Sequence, residues 1–238
     1  MKYDAVVSLG YNCEISFRLE NFFGKINAMP FSWSYVLERE SFPTVLEHIE
    51  PLLSGEVRLL EDRMILCENT KIKFHPRYEI LQKDGTITDD SLAEAVQELK
   101  SRVEHLKKKY VELVASDKRT LFLIKVENKG EEDNIRYVRA VAEALTKVYR
   151  SGLFTLVVLA EKDAVTPGLQ SLEGEQLKIR ALKRFAPRKH TDIAGDVKGW
   201  YRVLREMTGE PGKGYGRRLW KKRKEWFFAV LKKKLLKR

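Results

Sequence analysis

The chain has 238 residues, 43% of them hydrophobic and 10% aromatic, which is enough for one substantial core. Its two cysteines, Cys13 and Cys67, exclude a disulfide framework and a cysteine zinc cluster. The net charge of +11 belongs to one segment, because Lys213 to Arg238 carries twelve Lys or Arg against one acid, Glu225; the rest is neutral overall and gives no sign of a nucleic-acid-binding body.

The first elements follow closely on one another. "YDAVVSLG" reads as a buried strand, and Asn12 is placed to N-cap a helix whose Ile15, Leu19, Phe22 and Phe23 share one face. "INAMPFSWSYV" reads as an aromatic loop in which Pro30 excludes helix at Met29, and a helical stretch toward "TVLEHIEPLL" is interrupted by Pro51. "RMILC" and "KIKFH" around "ENT" predict a β-hairpin.

"DGT" is a turn, and "SLAE" from Ser91 fits a capping box before a long helix with Leu92, Val96, Leu99, Val103, Leu106, Tyr110 and Leu113 as its apolar stripe. "TLFLIKV" is a second buried strand, "NIRYVRAVAEALTKVY" a helix, "LFTLVVLAE" a third strand and "QLKIRALKRF" a strand nearer an edge. "DVKGWYRVLREM" closes the body as a helix, which sets a domain of residues 1–208, a glycine-rich flexible linker at 209–216 and a tail helix at 217–238.

Apolar strands alternating with amphipathic helices predict an α/β fold. We expect a three-layer, doubly wound, mainly parallel sheet with an inserted β-hairpin and a C-terminal basic amphipathic helix. Sites in such sheets lie beyond the carboxyl ends of the strands. Cys13 falls there, as do Glu127 after the second strand and the loop "RKHTDIAGD" after the fourth.

A cysteine in the first turn of a helix feels the positive end of the helix dipole, which favours thiolate and nucleophilic chemistry. The competing reading is a small buried residue, which suits Cys67 within its strand. A thiol catalyst needs a base, and His75 at the end of the hairpin strand or His190 in the loop after the fourth strand could reach Cys13, His190 with Asp192 or Asp196 beside it. His48 and His105 sit in helical stretches next to charges and read as solvated.

"VVSLGYNC", an amphipathic helix and then "MPFSW" resemble the N-terminal signature of a bacterial family of uncharacterised domains labelled papain-like cysteine peptidases, with SLGxNC, a later PFDW and a histidine further on. The resemblance covers the first third of the chain. It implies Cys13 as nucleophile, His75 as the matching histidine, and a role in surface-polysaccharide machinery with a peptide, sugar or lipid-linked substrate. Ser32 stands where the family has aspartate, and Pro76 where an acidic residue is expected. Asn12, Ser32, Trp33 and Glu127 are candidate substrate contacts. No metal or nucleotide motif is present, so no cofactor is expected.

In the tail, Trp220, Phe227, Val230, Leu231 and Leu235 gather on one side of a helical wheel, with Lys221, Lys222, Lys232 and Lys233 mostly opposite. A helix rich in Trp, Phe and Lys suits an anionic membrane surface, and Trp220, Lys221, Lys222, Trp226, Phe227 and Leu231 are the residues expected to bind it. The start of the chain lacks a secretory signal, and its longest apolar run, residues 153–160, is less than half of the roughly 20 residues needed to span a bilayer. The expectation is therefore a cytoplasmic protein peripheral to the inner face of the membrane. Nucleic acid is the weaker expectation for the tail, and a non-catalytic scaffold in polysaccharide assembly is the alternative for the whole.

Overall fold

A computed structural model describes residues 2–10, 12–82, 86–127, 129–187 and 194–235, and in the last helix the side chains as far as Phe228. The elements run β1 (Ala5–Ser8), α1 (Glu14–Phe23), β2 (Ser34–Val36), α2 (Phe42–Glu47), β3 (Val57–Leu59), β4 (Ile65–Cys67), β5 (Ile72–Phe74), α3 (Tyr78–Leu81) and α4 (Asp89–Val114). They continue with β6 (Thr120–Val126), α5 (Glu131–Val148), β7 (Phe154–Glu161), α6 (Pro167–Gln170), β8 (Leu177–Leu182), α7 (Val197–Thr208) and α8 (Tyr215–Leu235).

The main sheet has the order β1-β6-β7-β8, every neighbouring pair parallel, with Ala5 opposite Thr120, Thr120 opposite Phe154 and Leu156 opposite Leu177. Helices cover both faces, which makes the expected three-layer α/β architecture a fact of the structure. The period of two divides the strands cleanly. Val7, Phe122, Ile124, Leu156 and Val158 point to α2, α4, α5 and α6, whereas Val6, Leu121, Leu123, Val157 and Leu159 point to α1 and α7.

The expected hairpin, β4 with β5, is the centre of something larger. A second, antiparallel sheet of order β2-β5-β4-β3 includes Ser34–Val36, read above as loop, and Val57–Leu59, too short to register as a pattern. Its residues Val36, Ile65, Cys67, Ile72 and Phe74 pack into the same core as α4 and α5. Cys67 is wholly buried there, as its strand pattern implied.

Two boundaries differ from the sequence reading for local reasons. The long helix starts at Asp89, because Thr88 is the cap: its hydroxyl accepts the Ser91 N–H at 3.1 Å while the Ser91 hydroxyl accepts the Thr88 N–H at 3.0 Å. The segment 209–216, read as a flexible linker, makes contacts with the body. Pro211 O accepts the Tyr201 hydroxyl at 2.9 Å, the Tyr215 hydroxyl reaches Val197 O at 3.2 Å, and Gly212, at φ 57°, lies so close to Phe22 that a Cβ would come within 2.5 Å of its ring. The tail helix accordingly begins at Tyr215, with Tyr215 and Leu219 buried against the body.

Candidate functional site

The turn from β1 into α1 is set by Gly10. Its φ of 85° suits glycine, and a Cβ would sit 3.1 Å from Phe31 O and Ser34 Oγ. Gly10 thus lets the end of β1 press against the start of β2. Ser34 is the register partner of Phe74 in β5, and His75 is the next residue. The antiparallel sheet thus sets the strand that leads into His75 beside the start of β2, which packs on the turn between β1 and α1.

Cys13 is the residue immediately before the helix, with its carbonyl accepting the Phe17 N–H at 3.0 Å. Asn12, expected as the N-cap, sits one residue before the cap position, and its Oδ1 accepts the Glu14 N–H at 3.0 Å. Cys13 is only 8% exposed. Burial pushes its thiol up to about 11, opposite to the lowering expected from the helix terminus, because a thiolate there would be taken out of water. At neutral pH Cys13 is a thiol.

His75 is half-buried, its Nδ1 2.8 Å from the Tyr78 hydroxyl and its carbonyl accepting Arg102 Nη2 at 2.9 Å. Burial lowers its pKa, against the opposing pull of the Asp62 carboxylate. Burial raises the Tyr78 hydroxyl, and the negative charges of Asp62 and of an ionised Cys13 raise it further, so Tyr78 stands within electrostatic reach of both the thiol and the imidazole system. Asp62 pairs with Lys73 and accepts the Met64 N–H at 3.3 Å. Burial would raise its carboxyl, but the Lys73 ammonium outweighs that and holds it below the usual range. Sequence reasoning missed Tyr78 and Asp62; the spacing from His75 to Tyr78, one helical turn in "HPRYEI", was the available signal.

The other expected residues sort themselves by burial. Ser32 is sealed, its hydroxyl accepting the Met29 N–H at 2.9 Å and its carbonyl accepting the Ser16 hydroxyl, so it holds the loop together and has no free group for a substrate. Trp33 is half-buried and meets Phe17 edge-on at 5.0 Å. Glu127, the residue after β6, is half-buried, its carbonyl accepting Asn134 Nδ2 at 2.9 Å and its negative charge felt by Lys125. Asp196 is occupied as the cap of α7, accepting the N–H groups of Gly199 and Lys183, each at 2.9 Å, and so is not set aside to orient a histidine. His190 and Asp192 lie outside the described residues. His48 and His105 are exposed, as read.

A second cluster, not foreseen, adjoins the first. Glu14, the residue after Cys13, is wholly buried: Oε2 accepts Lys125 Nζ at 2.7 Å, and Oε1 accepts Trp200 Nε1 at 3.0 Å, Ala186 N at 3.1 Å and Arg18 Nη2 at 3.4 Å. Arg18 also donates to Ala194 O, and the Lys125 ammonium lies 3.9 Å from the Phe185 ring centroid. Burial drives the Lys125 pKa down, and the Glu14 carboxylate works against that shift. The cluster ties α1, β6, α7 and the segment after β8 together at the carboxyl end of the sheet. Lys125 occupies a position that the period of two reserves for an apolar residue, which hid it among the strand's buried set.

At the other end of α1, Arg218 of α8 donates to Asn21 O at 2.7 Å and Phe22 O at 2.8 Å, and Lys222 pairs with Glu20 at 2.6 Å with its ammonium 5.1 Å from the Phe17 ring. Lys222, expected at a membrane, thus faces the body. The side chain of Leu231 lies outside those described. Among the described residues no helix is long and apolar enough to cross a membrane, and no group of three His, Cys, Asp or Glu side chains is placed to hold a metal ion. Comparison with protein-family models, with curated proteins and with solved structures found no match.

Proposed function

We propose that this chain is a cysteine-dependent hydrolase or transferase domain, peptidase-like in its chemistry, that acts at the inner face of a membrane on a peptide, glycan or acyl substrate of cell-envelope polysaccharide metabolism. Cys13 is the nucleophile and His75 the base. What supports this reading is the electrostatic influence of Cys13 on the Tyr78 hydroxyl, which lies 2.8 Å from His75 Nδ1, together with the position of Cys13 just after the carboxyl end of β1. Because the thiol is neutral at rest, His75, held neutral by its surroundings, takes the proton as the sulfur attacks. The membrane part of the reading is supported by the basic, aromatic surface of α8.

A second reading is favoured by one specific observation, the burial that pushes the thiol up to about 11: a non-catalytic binding or scaffold protein in which Cys13 is a packed side chain. The rate of iodoacetamide labelling of Cys13 between pH 6 and 11 separates the two. The enzyme reading expects His75→Gln to lower labelling at pH 7.5 by at least about tenfold, one pK unit of coupling between thiol and imidazole. A single titration near 11 that His75→Gln leaves in place supports the scaffold.

A further inference from the structure

The C-terminal helix has one face attached to the body and one turned away from it. Tyr215, Arg218, Leu219 and Lys222 follow the i, i+3, i+4, i+7 pattern, and all four engage α1 or α7: Tyr215 and Leu219 are each 5% exposed, and Arg218 and Lys222 make the bonds to α1 given above. Trp220 and Phe227 lie one heptad apart, on the side of the helix away from Lys222, with Lys224 and Phe228 beside them. The exposures are 63% for Trp220, 54% for Phe227 and 55% for Phe228, and the Lys224 ammonium sits 5.3 Å from the Trp220 ring and 5.8 Å from the Phe228 ring.

Trp220, Phe227 and Phe228 are the most exposed large hydrophobic side chains among the described residues, they lie together on one helix, and their neighbours are cationic. Twelve basic residues against one acid from Lys213 onward set the sign of the partner, and the aromatics set its nature: it offers negative charge above an apolar layer. A single-stranded nucleic acid supplies the charge and bases that stack on single rings, but not the continuous apolar layer that takes up a row of rings along one helix face. We infer that the outward face of α8, Trp220, Lys224, Phe227 and Phe228, lies in the interface of an anionic lipid bilayer while the inward face stays fixed to α1. This rests on the membrane part of the proposed reading and is independent of the thiol chemistry.

The attachment defines the cut that tests it. A chain ending at Lys222 keeps every described contact between α8 and α1 that is given above, whereas removal of the whole helix would also strip the carbonyl partners from α1. Co-sedimentation is measured with vesicles of phosphatidylcholine alone and of phosphatidylcholine with phosphatidylglycerol, for the full chain, the chain ending at Lys222, and the triple variant W220S/F227S/F228S; circular dichroism checks that each is folded. The inference expects the full chain to bind the anionic vesicles, and the triple variant, with every charge kept, to bind at least about a hundredfold more weakly because three rings no longer leave water. Loss of binding by the chain ending at Lys222 supports it as well. Equal binding by the full chain and the triple variant overturns it and leaves a purely electrostatic membrane attachment. Failure of the full chain to bind anionic vesicles, or tighter binding of an RNA oligomer than of vesicles, overturns both this inference and the membrane part of the reading, and leaves the labelling of Cys13 to decide the chemistry.

Discussion

The two faces of the main sheet are stabilised in different ways. Against α2, α4, α5 and the antiparallel sheet the core is aliphatic and aromatic, with Phe31, Phe122, Val138, Val141 and Leu145 all buried. Against α1 and α7 the core contains Ile15, Leu19 and Trp200 but also a buried carboxylate with two buried cations, Glu14 with Arg18 and Lys125. An apolar layer is tolerant, since any side chain of the right volume fills it. A buried ion cluster is not, since each member is acceptable there only while its partners remain. The difference teaches where the fold is a matter of volume and where it depends on particular atoms, and those atoms lie next to Cys13.

The largest expected effect breaks or keeps that contrast. Glu14→Gln preserves the shape and leaves an oxygen for Trp200 and Ala186, but removes the charge between Lys125 and Arg18. Leaving buried cations uncompensated costs about 3–5 kcal/mol. On the other face, Leu145→Met keeps the volume and costs less than about 1.5 kcal/mol. Urea denaturation of both variants at pH 7 measures the pair of values. A Glu14→Gln variant as stable as Leu145→Met would mean that the two faces are not different in kind.

The same contrast explains what could be read from the sequence. The strands β1, β6 and β7, the helices α4 and α5 and the layering they imply follow from periodicity, and their buried residues are mostly the ones the pattern names. The antiparallel sheet was half legible, because strands of three residues such as Val57–Leu59 are shorter than any reliable alternation. The ion cluster was not legible at all. In "EISFRLENFF" the residues Glu14, Arg18 and Asn21 look like the wet side of an amphipathic helix, yet α8 and α7 close over them, and only the tertiary structure supplies the partners that make such burial possible. Of the candidate site, Cys13 and His75 were named from the family resemblance and from their positions after β1 and at the end of the hairpin. Tyr78 was not, because a tyrosine starting a four-residue helix carries no pattern of its own.

A middle-sized effect sharpens the contrast at the far end of α1. Arg218 is a partly exposed cation that serves carbonyls, not a carboxylate, at Asn21 and Phe22. Its loss exposes groups that water can reach, so Arg218→Ala is expected to cost about 1.5 kcal/mol. Arg218→Lys should rescue little of this, since a point charge cannot span two carbonyls as the guanidinium fork does. Hydrogen exchange localises the effect: faster exchange confined to the last turn of α1 and the first of α8 agrees, and uniform loss across both cores would show that α8 is part of the main cooperative unit.

The smallest effect is nil at neutral pH and belongs to His75. Burial holds its folded pKa below the ordinary value of about 6.5, so the folded protein keeps a neutral imidazole where the unfolded chain has already taken a proton. Between those two pKa values the unfolded state binds more protons, so stability falls as pH drops through 6.5 and levels off below the folded pKa. The Asp62 carboxylate opposes the shift, which keeps the loss small. His75→Gln removes this part of the pH dependence while leaving that of the carboxylates. Denaturation midpoints of the two chains, level at pH 7.5, should therefore separate at pH 5, the wild-type chain losing more than the variant, and equal losses for the two would place His75 in water, away from the buried thiol that it is proposed to serve.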